Sequence, residues 1–310
     1  MRVSIVCVVV CTLLVSGCAG TLSDDGTPVS PDAGTVPDAF SETAVVVVPD
    51  SPSTVEAATA DRVASRVRAV TGTEPDIVSA SAVTETQRAG ALIVVGEFED
   101  GRLARFASEA NVSGEFEALE AREGRVVTTR NPWNRSQPLI LLGGADAAGL
   151  WAGADELVES DNATGNDTAT FEPVSRSEID RLDTVDTIGA TVRTQAQTKR
   201  AYFTRGPEAT DGTYLEGADQ SRLLFQRVNV YTTDRFDNAT LEALRDDGIR
   251  VSQDRWVGDG DGGSYSATVP LDQLARLGNH SRVTTIETRE NAYSVESLRP
   301  APQRHTEAAG

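Results

Sequence analysis

The sequence contains few residues with sulfur or imidazole side chains. Its 310 residues include three cysteines, two histidines and one methionine. Cys7, Cys11 and Cys18 all lie near the start, so the rest of the chain has no thiol for a disulfide or a metal. His280 and His305 have no other imidazole or thiolate nearby in sequence, and we expect both to lie in solvent. The composition therefore predicts no metal site and no cofactor.

Long apolar runs are also absent, apart from one at the start. Residues 3–15 carry no charge, but this many helical residues span only about 20 Å, whereas a bilayer core is about 30 Å thick. The charged start and the short apolar segment are typical of a signal peptide, predicted here at 1–17. Residues 15–18, Val-Ser-Gly-Cys, resemble a lipobox, which implies an acylated Cys18 and a lipid anchor on the extracellular face of the membrane. The alternative is an ordinary signal peptide that contains a cysteine by chance.

Positive charge is scarce throughout the chain. Asp and Glu total 47 and Lys and Arg total 28, which gives a net charge of −19, and Lys199 is the only lysine. This composition resembles that of proteins from halophilic archaea, in which molar salt screens the repulsion between surface carboxylates. The alternative is an acidic mesophilic protein from a GC-rich genome. In either case the surface repels phosphate, so we expect no nucleic-acid partner.

Asn-x-Ser/Thr sequons favour an exported glycoprotein. In an exported chain each such asparagine is a candidate glycosylation site and a predicted surface residue. The six candidates are Asn111, Asn134, Asn162, Asn166, Asn238 and Asn279.

Composition and patterning predict two folded domains. Residues 18–42 are rich in Asp, Ser, Thr, Pro and Gly and predict a disordered tether. Strands alternating with helices at 43–159 predict an α/β layered domain. A polar linker is predicted at 160–180, a ferredoxin-like domain with an N-terminal extension at 181–296, and a disordered tail at 297–310.

The first domain has clear signals for strands and helices. Ser53 and Glu56 have the spacing of a capping box, which predicts the start of a helix that ends at Gly72. Its predicted apolar stripe is Val63, Val67 and Val70. Further helices are predicted at 101–110 and 146–159, the second with Leu150, Ala154 and Leu157 inside. Strands are predicted at 44–49, 91–96, 124–129 and 138–144.

Residues 123–158 read "EGRVVTTRNPWNRSQPLILLGGADAAGLWAGADELV". This stretch resembles the end of the non-catalytic α/β domain that precedes the barrel in α-glucuronidases and β-N-acetylhexosaminidases. The resemblance implies the fold of the first domain and places catalytic carboxylates in the barrel. A barrel needs about 250 residues, and only 151 follow Glu159. We therefore expect the catalytic unit to be missing and the protein not to be an enzyme.

The C-terminal part predicts the order β-α-β-β-α-β, which is the split unit of ferredoxin-like folds. Asp237 is predicted to cap the first helix and Gly248 to end it, and the second runs from Pro270 to Gly278. Inner positions are Leu241 and Leu244 in the first helix and Leu271, Leu274 and Leu277 in the second. Strands are predicted at 227–231, 249–256, 264–269 and 282–287. Before them, residues 200–205 predict a strand and residues 221–226 an extension of the strand that follows.

Residues 269–287 read "VPLDQLARLGNHSRVTTIE". Together with the element order, they make residues 227–288 resemble the propeptide-type domains of subtilisin-like proteases. The resemblance implies an exported protease as a partner, with the tail from Ser297 entering its cleft.

Two groups of acidic residues do not match a complete site. Asp259 and Asp261 lie in a glycine-rich turn, but a calcium loop that began at Asp259 would need a bidentate Glu where Pro270 stands, so a hairpin turn is predicted. Three acidic residues follow a predicted strand and are interpreted as acidic surface: Glu97, Glu99 and Asp100.

Glycines at a strand–helix junction raise the question of a phosphate site. Gly143 and Gly144 precede Asp146 and Gly149, but the third glycine of a dinucleotide site and the lysine of a P-loop are missing. The glycines are therefore predicted to form a turn and Asp146 to cap the helix. Trp133 has two equal interpretations, an exposed stacking surface for a ligand and an edge of the core.

Three functions remain open at this level. The preferred one is a non-catalytic, lipid-anchored surface protein for binding or envelope assembly. A protease inhibitor or chaperone is favoured by an apolar face on the last sheet. A carboxylate-dependent hydrolase is favoured by a deep cleft with two facing carboxylates.

Overall fold

The computed structural model describes residues 40, 43–98, 101–159, 168–206, 220–258 and 262–290. The predicted signal peptide, most of the tether and the tail lie outside these residues. So do the candidates Cys18, Asn162, Asn166, Glu99, Asp100, Asp259, Asp261 and His305. Within the described ranges, no helix combines the length and hydropathy needed to cross a membrane.

A six-stranded mixed sheet forms the centre of the first part of the chain. Its strands are β1 (Val45–Val48), β2 (Asp76–Ser79), β3 (Leu92–Glu97), β4 (Glu123–Arg130), β5 (Pro138–Gly144) and β6 (Thr168–Thr170). The order is β2-β1-β3-β5-β4-β6, in which the first four strands are parallel and β4 is antiparallel to β5 and β6. The predicted strands are all present. The sequence did not indicate β2, nor β6, which lies inside the predicted linker.

Helices cover both faces of this sheet. They are α1 (Thr54–Thr71), α2 (Glu85–Arg88), α3 (Arg102–Glu109), α4 (Ser113–Glu117) and α5 (Ala147–Glu159). Side chains of α1 and α5 pack on one face, and those of α3 and α4 pack on the other. The four central strands β1, β3, β5 and β4 therefore bury side chains in both directions, which explains their apolar runs, whereas the edge strands β2 and β6 are largely exposed. The predicted α/β layered arrangement is confirmed.

The start of α1 follows its prediction. The Ser53 hydroxyl accepts from the Glu56 backbone N–H, and the Glu56 carboxylate accepts from the Ser53 N–H at 2.7 Å. Gly72 ends the helix in the left-handed conformation with φ of 77°. Both caps satisfy backbone groups that the helix itself leaves unpaired.

The predicted apolar stripe of α1 is wrong at its last position. Val63 and Val67 are buried, but Val70 is 43% exposed. The buried ridge advances in steps of four residues from Val55 through Val63 and Val67, so its next position is Thr71. A step of three at the last turn rotates Val70 toward solvent.

The middle of the chain is helical, which corrects the prediction of a strand at 200–205. Its helices are α6 (Arg176–Leu182), α7 (Ala190–Arg205) and α8 (Gln220–Leu224). Residues 200–205 form the last turns of α7, because the stretch before them contains Ala, Gln, Arg and Lys but no Gly or Pro, so the helix continues through the aromatic pair. Residues 221–224 also belong to a helix, and the next strand begins at Phe225.

A four-stranded antiparallel sheet forms the C-terminal part. Its strands are β7 (Phe225–Thr232), β8 (Arg250–Gly258), β9 (Gly263–Pro270) and β10 (Val283–Thr288). The order is β10-β7-β9-β8. Helix α9 (Asn238–Asp246) connects β7 to β8. A 3-10 turn at Leu271–Gln273 and helix α10 (Leu274–Gly278) connect β9 to β10.

The two parts share packing. Leu224 and Phe225 belong to the apolar core that α1 and α5 form over the first sheet. The rings of Trp151 and Phe225 meet edge to face with centroids 5.1 Å apart. A Cβ atom on Gly248 would lie 2.7 Å from the Trp151 ring, so only glycine allows this approach. The boundary between the two parts is therefore closely packed around Trp151.

Candidate ligand-binding cleft

A cleft of about 470 Å³ opens beside this packed boundary. Its walls come from α5, from the segment between β6 and α6, from α7, and from the turn after β9. An adjoining hollow shares Asp155, Phe171 and Glu172 with it. The cleft is therefore built from segments that are far apart in sequence.

Aromatic rings form part of the cleft wall. Trp151 comes from α5 and Phe203 from α7, and both are almost fully buried, whereas Phe171 is partly exposed. The Phe171 and Phe203 rings pack with centroids 5.1 Å apart. Because these rings are fixed by core packing, the wall is a preformed apolar surface.

Four carboxylates line the same cleft: Asp155, Glu172, Glu178 and Asp272. Glu178 belongs to the capping box of α6, where its carboxylate accepts from the Ser175 hydroxyl at 2.7 Å and the Ser175 N–H at 2.9 Å. These hydrogen bonds, led by that of the hydroxyl, lower the pKa of Glu178. Glu178 thus has a structural role, whereas Glu172 is a carboxylate at the mouth of the cleft.

Asp272 has a different environment. Its side chain reaches solvent, yet the surrounding protein removes enough water to raise the pKa of its carboxyl group. A hydrogen bond from the Gln273 amide opposes this shift, and the charge of Asp155 adds to it. Desolvation favours the neutral form of an acid, so Asp272 retains its proton at higher pH than an ordinary aspartate.

Arg62 contacts two of the residues that line the cleft, Trp151 and Asp155. Its guanidinium lies 4.6 Å from the centre of the Trp151 ring and contacts Asp155 Oδ1 at 2.5 Å. The Arg62 side chain is only 9% exposed, and its charge lowers the pKa of Asp272 in opposition to desolvation. Arg62 therefore couples the aromatic wall to the two aspartates.

Trp133 lies away from this cleft, against the core on the opposite face of the first sheet. It is partly buried, and its ring meets the Phe106 ring edge to face with centroids 5.5 Å apart. The Arg88 guanidinium lies 5.3 Å from the centre of the same ring. Trp133 is thus an edge of the core that also borders a small cavity.

The described sequons differ in their surroundings. Asn111, Asn238 and Asn279 are exposed. Asn134 is partly buried, and its side-chain N–H donates to the Ala89 carbonyl at 2.9 Å. Asn134 is therefore engaged in holding the turn between β4 and β5.

The expectation that His280 lies in solvent is wrong. The ring is partly buried and meets the Phe236 ring edge to face with centroids 5.2 Å apart, and its Nδ1 accepts from the Arg282 N–H. Desolvation lowers the pKa of His280, Arg282 adds to this effect, and Asp237 opposes it. Among the described residues, no cluster of three histidine, cysteine or acidic side chains could hold a metal.

The glycine-rich junction between β5 and α5 has a structural role, as predicted. The cap is the one that was predicted, but the glycines act differently. The Asp146 carboxylate accepts from the Gly149 N–H at 2.8 Å, which confirms the cap. Gly143 and Gly144 do not form a turn, because they are the last residues of β5. A Cβ on Gly144 would lie 2.1 Å from the Leu150 nitrogen, so close packing requires glycine. At the end of β3, Glu97 is partly buried.

Sequence reasoning did not identify Trp151, Asp155 and Asp272 as a site. The only local signal was a tryptophan in a helix of small residues, "AAGLWAGA". Comparison of the chain with models of known families and with curated protein sequences finds no match, so the geometry of the cleft is what bears on its function.

Proposed function

We propose that this protein is a lipid-anchored surface protein of a halophilic archaeon that binds, without catalysis, a small hydroxyl- or amine-bearing ligand in the cleft. The observation that carries the proposal is the juxtaposition of the aromatic wall of Trp151 and Phe171 with the carboxylates of Asp155 and Asp272. Aromatic rings supply apolar contact area, and carboxylates accept hydrogen bonds from hydroxyl and ammonium groups. Sites of this kind use a few polar groups to orient a ligand on an apolar surface.

The proposed location depends on sequence signals. The lipobox ending at Cys18 implies a tether, and exposed sequons at Asn111, Asn238 and Asn279 are consistent with an exterior position. Cys18→Ser should release the protein from membranes into the medium. Retention of this variant in the membrane fraction would contradict the anchor.

We also propose that residues 225–288 form a ferredoxin-like domain. The strand order β10-β7-β9-β8, with all neighbours antiparallel, and the helices after β7 and β9 support this assignment. The fold occurs in many unrelated proteins, so it adds no functional argument of its own.

Ligand binding can be tested by calorimetry with glucosamine as the probe and glucose as the uncharged comparison. We expect saturable binding of glucosamine in molar potassium chloride. Asp272→Asn should weaken it about tenfold, because a charge-assisted hydrogen bond is lost. The matched control is Asp180→Asn, an exposed aspartate on α6 outside the cleft, which should bind like the wild type. Equal affinity of the Asp272 variant and the wild type would remove this assignment.

A second candidate function is a carboxylate-dependent hydrolase. It is favoured by one observation, the raised pKa of Asp272 in a cleft that also contains Asp155 paired with Arg62. A carboxyl group whose pKa is raised, next to a second carboxylate, is the pairing that acid–base hydrolysis uses. Release of nitrophenol from nitrophenyl glycosides, lost in Asp272→Asn, would establish this function. Release of nitrophenol at the rate seen in buffer alone would contradict the hydrolase and leave ligand binding as the proposed function.

The protease-partner alternative has no comparable support. On β7, β9 and β10 the residues facing away from the core are mainly polar, and they include Asn229, Ser266 and Glu287. Tyr231 and Val257 are the large hydrophobic side chains exposed on the described part of this sheet. An apolar docking face, the feature that would favour a protease partner, is therefore not formed by these residues.

A further inference from the structure

A second cavity lies on the opposite face of the first sheet, next to α3. Arg88, Arg102 and Arg105 line it together with Phe106, Glu109 and Trp133. Three arginines in one cavity are unusual in a chain whose net charge is −19. The partners of each arginine decide whether the cavity carries a net positive charge.

Two of the three guanidinium groups already have carboxylate partners. Arg102 contacts Asp50 at 2.6 Å, and Arg105 contacts Glu109 at 3.0 Å. Arg88 has no carboxylate partner among the described residues, and its Nε atom is buried without a hydrogen-bond acceptor. The three guanidinium groups thus face two carboxylates, and the unbalanced positive charge belongs to Arg88.

The backbone that carries Arg88 is fixed in place. The Asn131 side chain donates to the carbonyls of Arg88 and Gly90, both at 2.7 Å, and the Asn134 side chain donates to the Ala89 carbonyl. The Arg88 guanidinium packs against the face of the Trp133 ring. Arg88 is therefore held at the cavity without a counter-charge, which reduces the entropy lost when an anion binds.

The cavity is small, with a volume of about 20 Å³. This is room for one or two oxygen atoms of an oxyanion, with the rest of the group outside, and it excludes a whole sugar ring or aromatic ring. A guanidinium offers several N–H donors in a geometry that matches carboxylate, sulfate and phosphate oxygens. We propose that Arg88, beside Trp133, binds a single oxyanionic group, either a free ion or a substituent of a larger ligand that lies along the surface outside the cavity.

The experiment is calorimetric titration of the full chain in molar potassium chloride. Sodium sulfate tests the free ion, and dextran sulfate tests a polymer substituent, with uncharged dextran for comparison. We expect saturable binding of sulfate groups and none of dextran. Tighter binding per sulfate group on the polymer would identify a substituent as the ligand, and equal binding would identify the free ion.

Variants separate this site from general charge effects. Arg88→Gln should weaken sulfate binding at least about tenfold, because a charge-assisted contact is lost. Glu109→Gln should strengthen it, because a competing carboxylate is removed from the cavity wall. The matched control is Arg176→Gln, which removes a similar charge from an exposed position on α6. Undetectable binding to the wild type, or Arg88→Gln binding as tightly as the Arg176 control, would overturn the proposal.

Discussion

Nζ of Lys199 lies 2.6 Å from Oε1 of Glu290, and both side chains are buried. The same ammonium donates to the Phe225 carbonyl at 2.7 Å, and the same carboxylate oxygen accepts from the Arg227 N–H at 3.2 Å. The only lysine of the chain thus connects α7 to the first strand of the second sheet and to Glu290, two residues beyond its last strand. A buried pair of this kind costs more when one partner is removed than when both are.

Lys199→Met should lower the free energy of unfolding by about 3 kcal/mol or more, because it leaves the Glu290 carboxylate buried without its cation. The double variant Lys199→Met/Glu290→Leu should recover most of this loss. Urea unfolding in molar potassium chloride measures both changes. A single variant as stable as the wild type would show that Glu290 is not buried as described.

The same pair predicts a pH dependence. Desolvation lowers the pKa of Lys199 from 10.5 to about 8, Glu290 opposes the shift, and Arg222 adds to it. Between these two values the unfolded chain binds more protons than the folded one, so this lysine makes stability rise with pH. Below pH 8 the ammonium is charged in both states and contributes no slope.

The measurement is urea unfolding of the wild type and of Lys199→Met at about pH 7 and about pH 10. The free energy of unfolding of the wild type should exceed that of Lys199→Met by more at the higher pH. At that pH the folded wild type buries a neutral amine instead of an ammonium. Titrating groups other than Glu290 are common to both proteins and cancel, and the double variant Lys199→Met/Glu290→Leu, which lacks that carboxylate, should show the same widening of the difference from the wild type. A difference that narrows with rising pH would contradict the lowered pKa.

The backbones of β4 and α5 approach closely at Gly124 and Gly149. A Cβ on Gly124 would lie 1.9 Å from the Gly149 carbonyl oxygen, and one on Gly149 would lie 2.1 Å from the Glu123 oxygen. Gly124→Ala should therefore lower the free energy of unfolding by about 3 kcal/mol or more, since backbone atoms must move apart. The measurement is thermal or urea unfolding.

Gly114→Ala is the matched control for this substitution. Gly114 lies in helix α4, and a Cβ there would meet no atom within 4 Å. Because alanine favours a helix over glycine, this variant should be unchanged or more stable by up to about 1 kcal/mol. Equal effects of the two substitutions would show that β4 and α5 do not approach as closely as described.

The sequence predicted those features that depend on neighbouring residues. The apolar run of β1 and the capping box of Ser53 and Glu56 are local patterns, and both are confirmed. The cleft was not predictable in this way, because Asp155 lies on α5 and Asp272 follows β9, and only folding brings them together. The sequence singled out Lys199, but its burial depends on the distant Glu290.

Salt should control the stability of this chain. Ion pairs connect α1 to the C-terminal part, including Arg68 with Asp246 at 3.0 Å and Arg250 with Asp61 at 3.1 Å, but pairs that remain in contact with solvent contribute little. Repulsion among the carboxylates that give the chain its net charge of −19 is the larger effect, and molar salt screens it.

Dialysis from molar potassium chloride to low salt should therefore reduce the helical circular dichroism signal, and returning the salt should restore it. Sucrose at matched osmolality stabilises folded proteins but does not screen charge, so it should restore less of the signal than the salt does. A spectrum unchanged by dialysis would remove the argument for a halophilic protein.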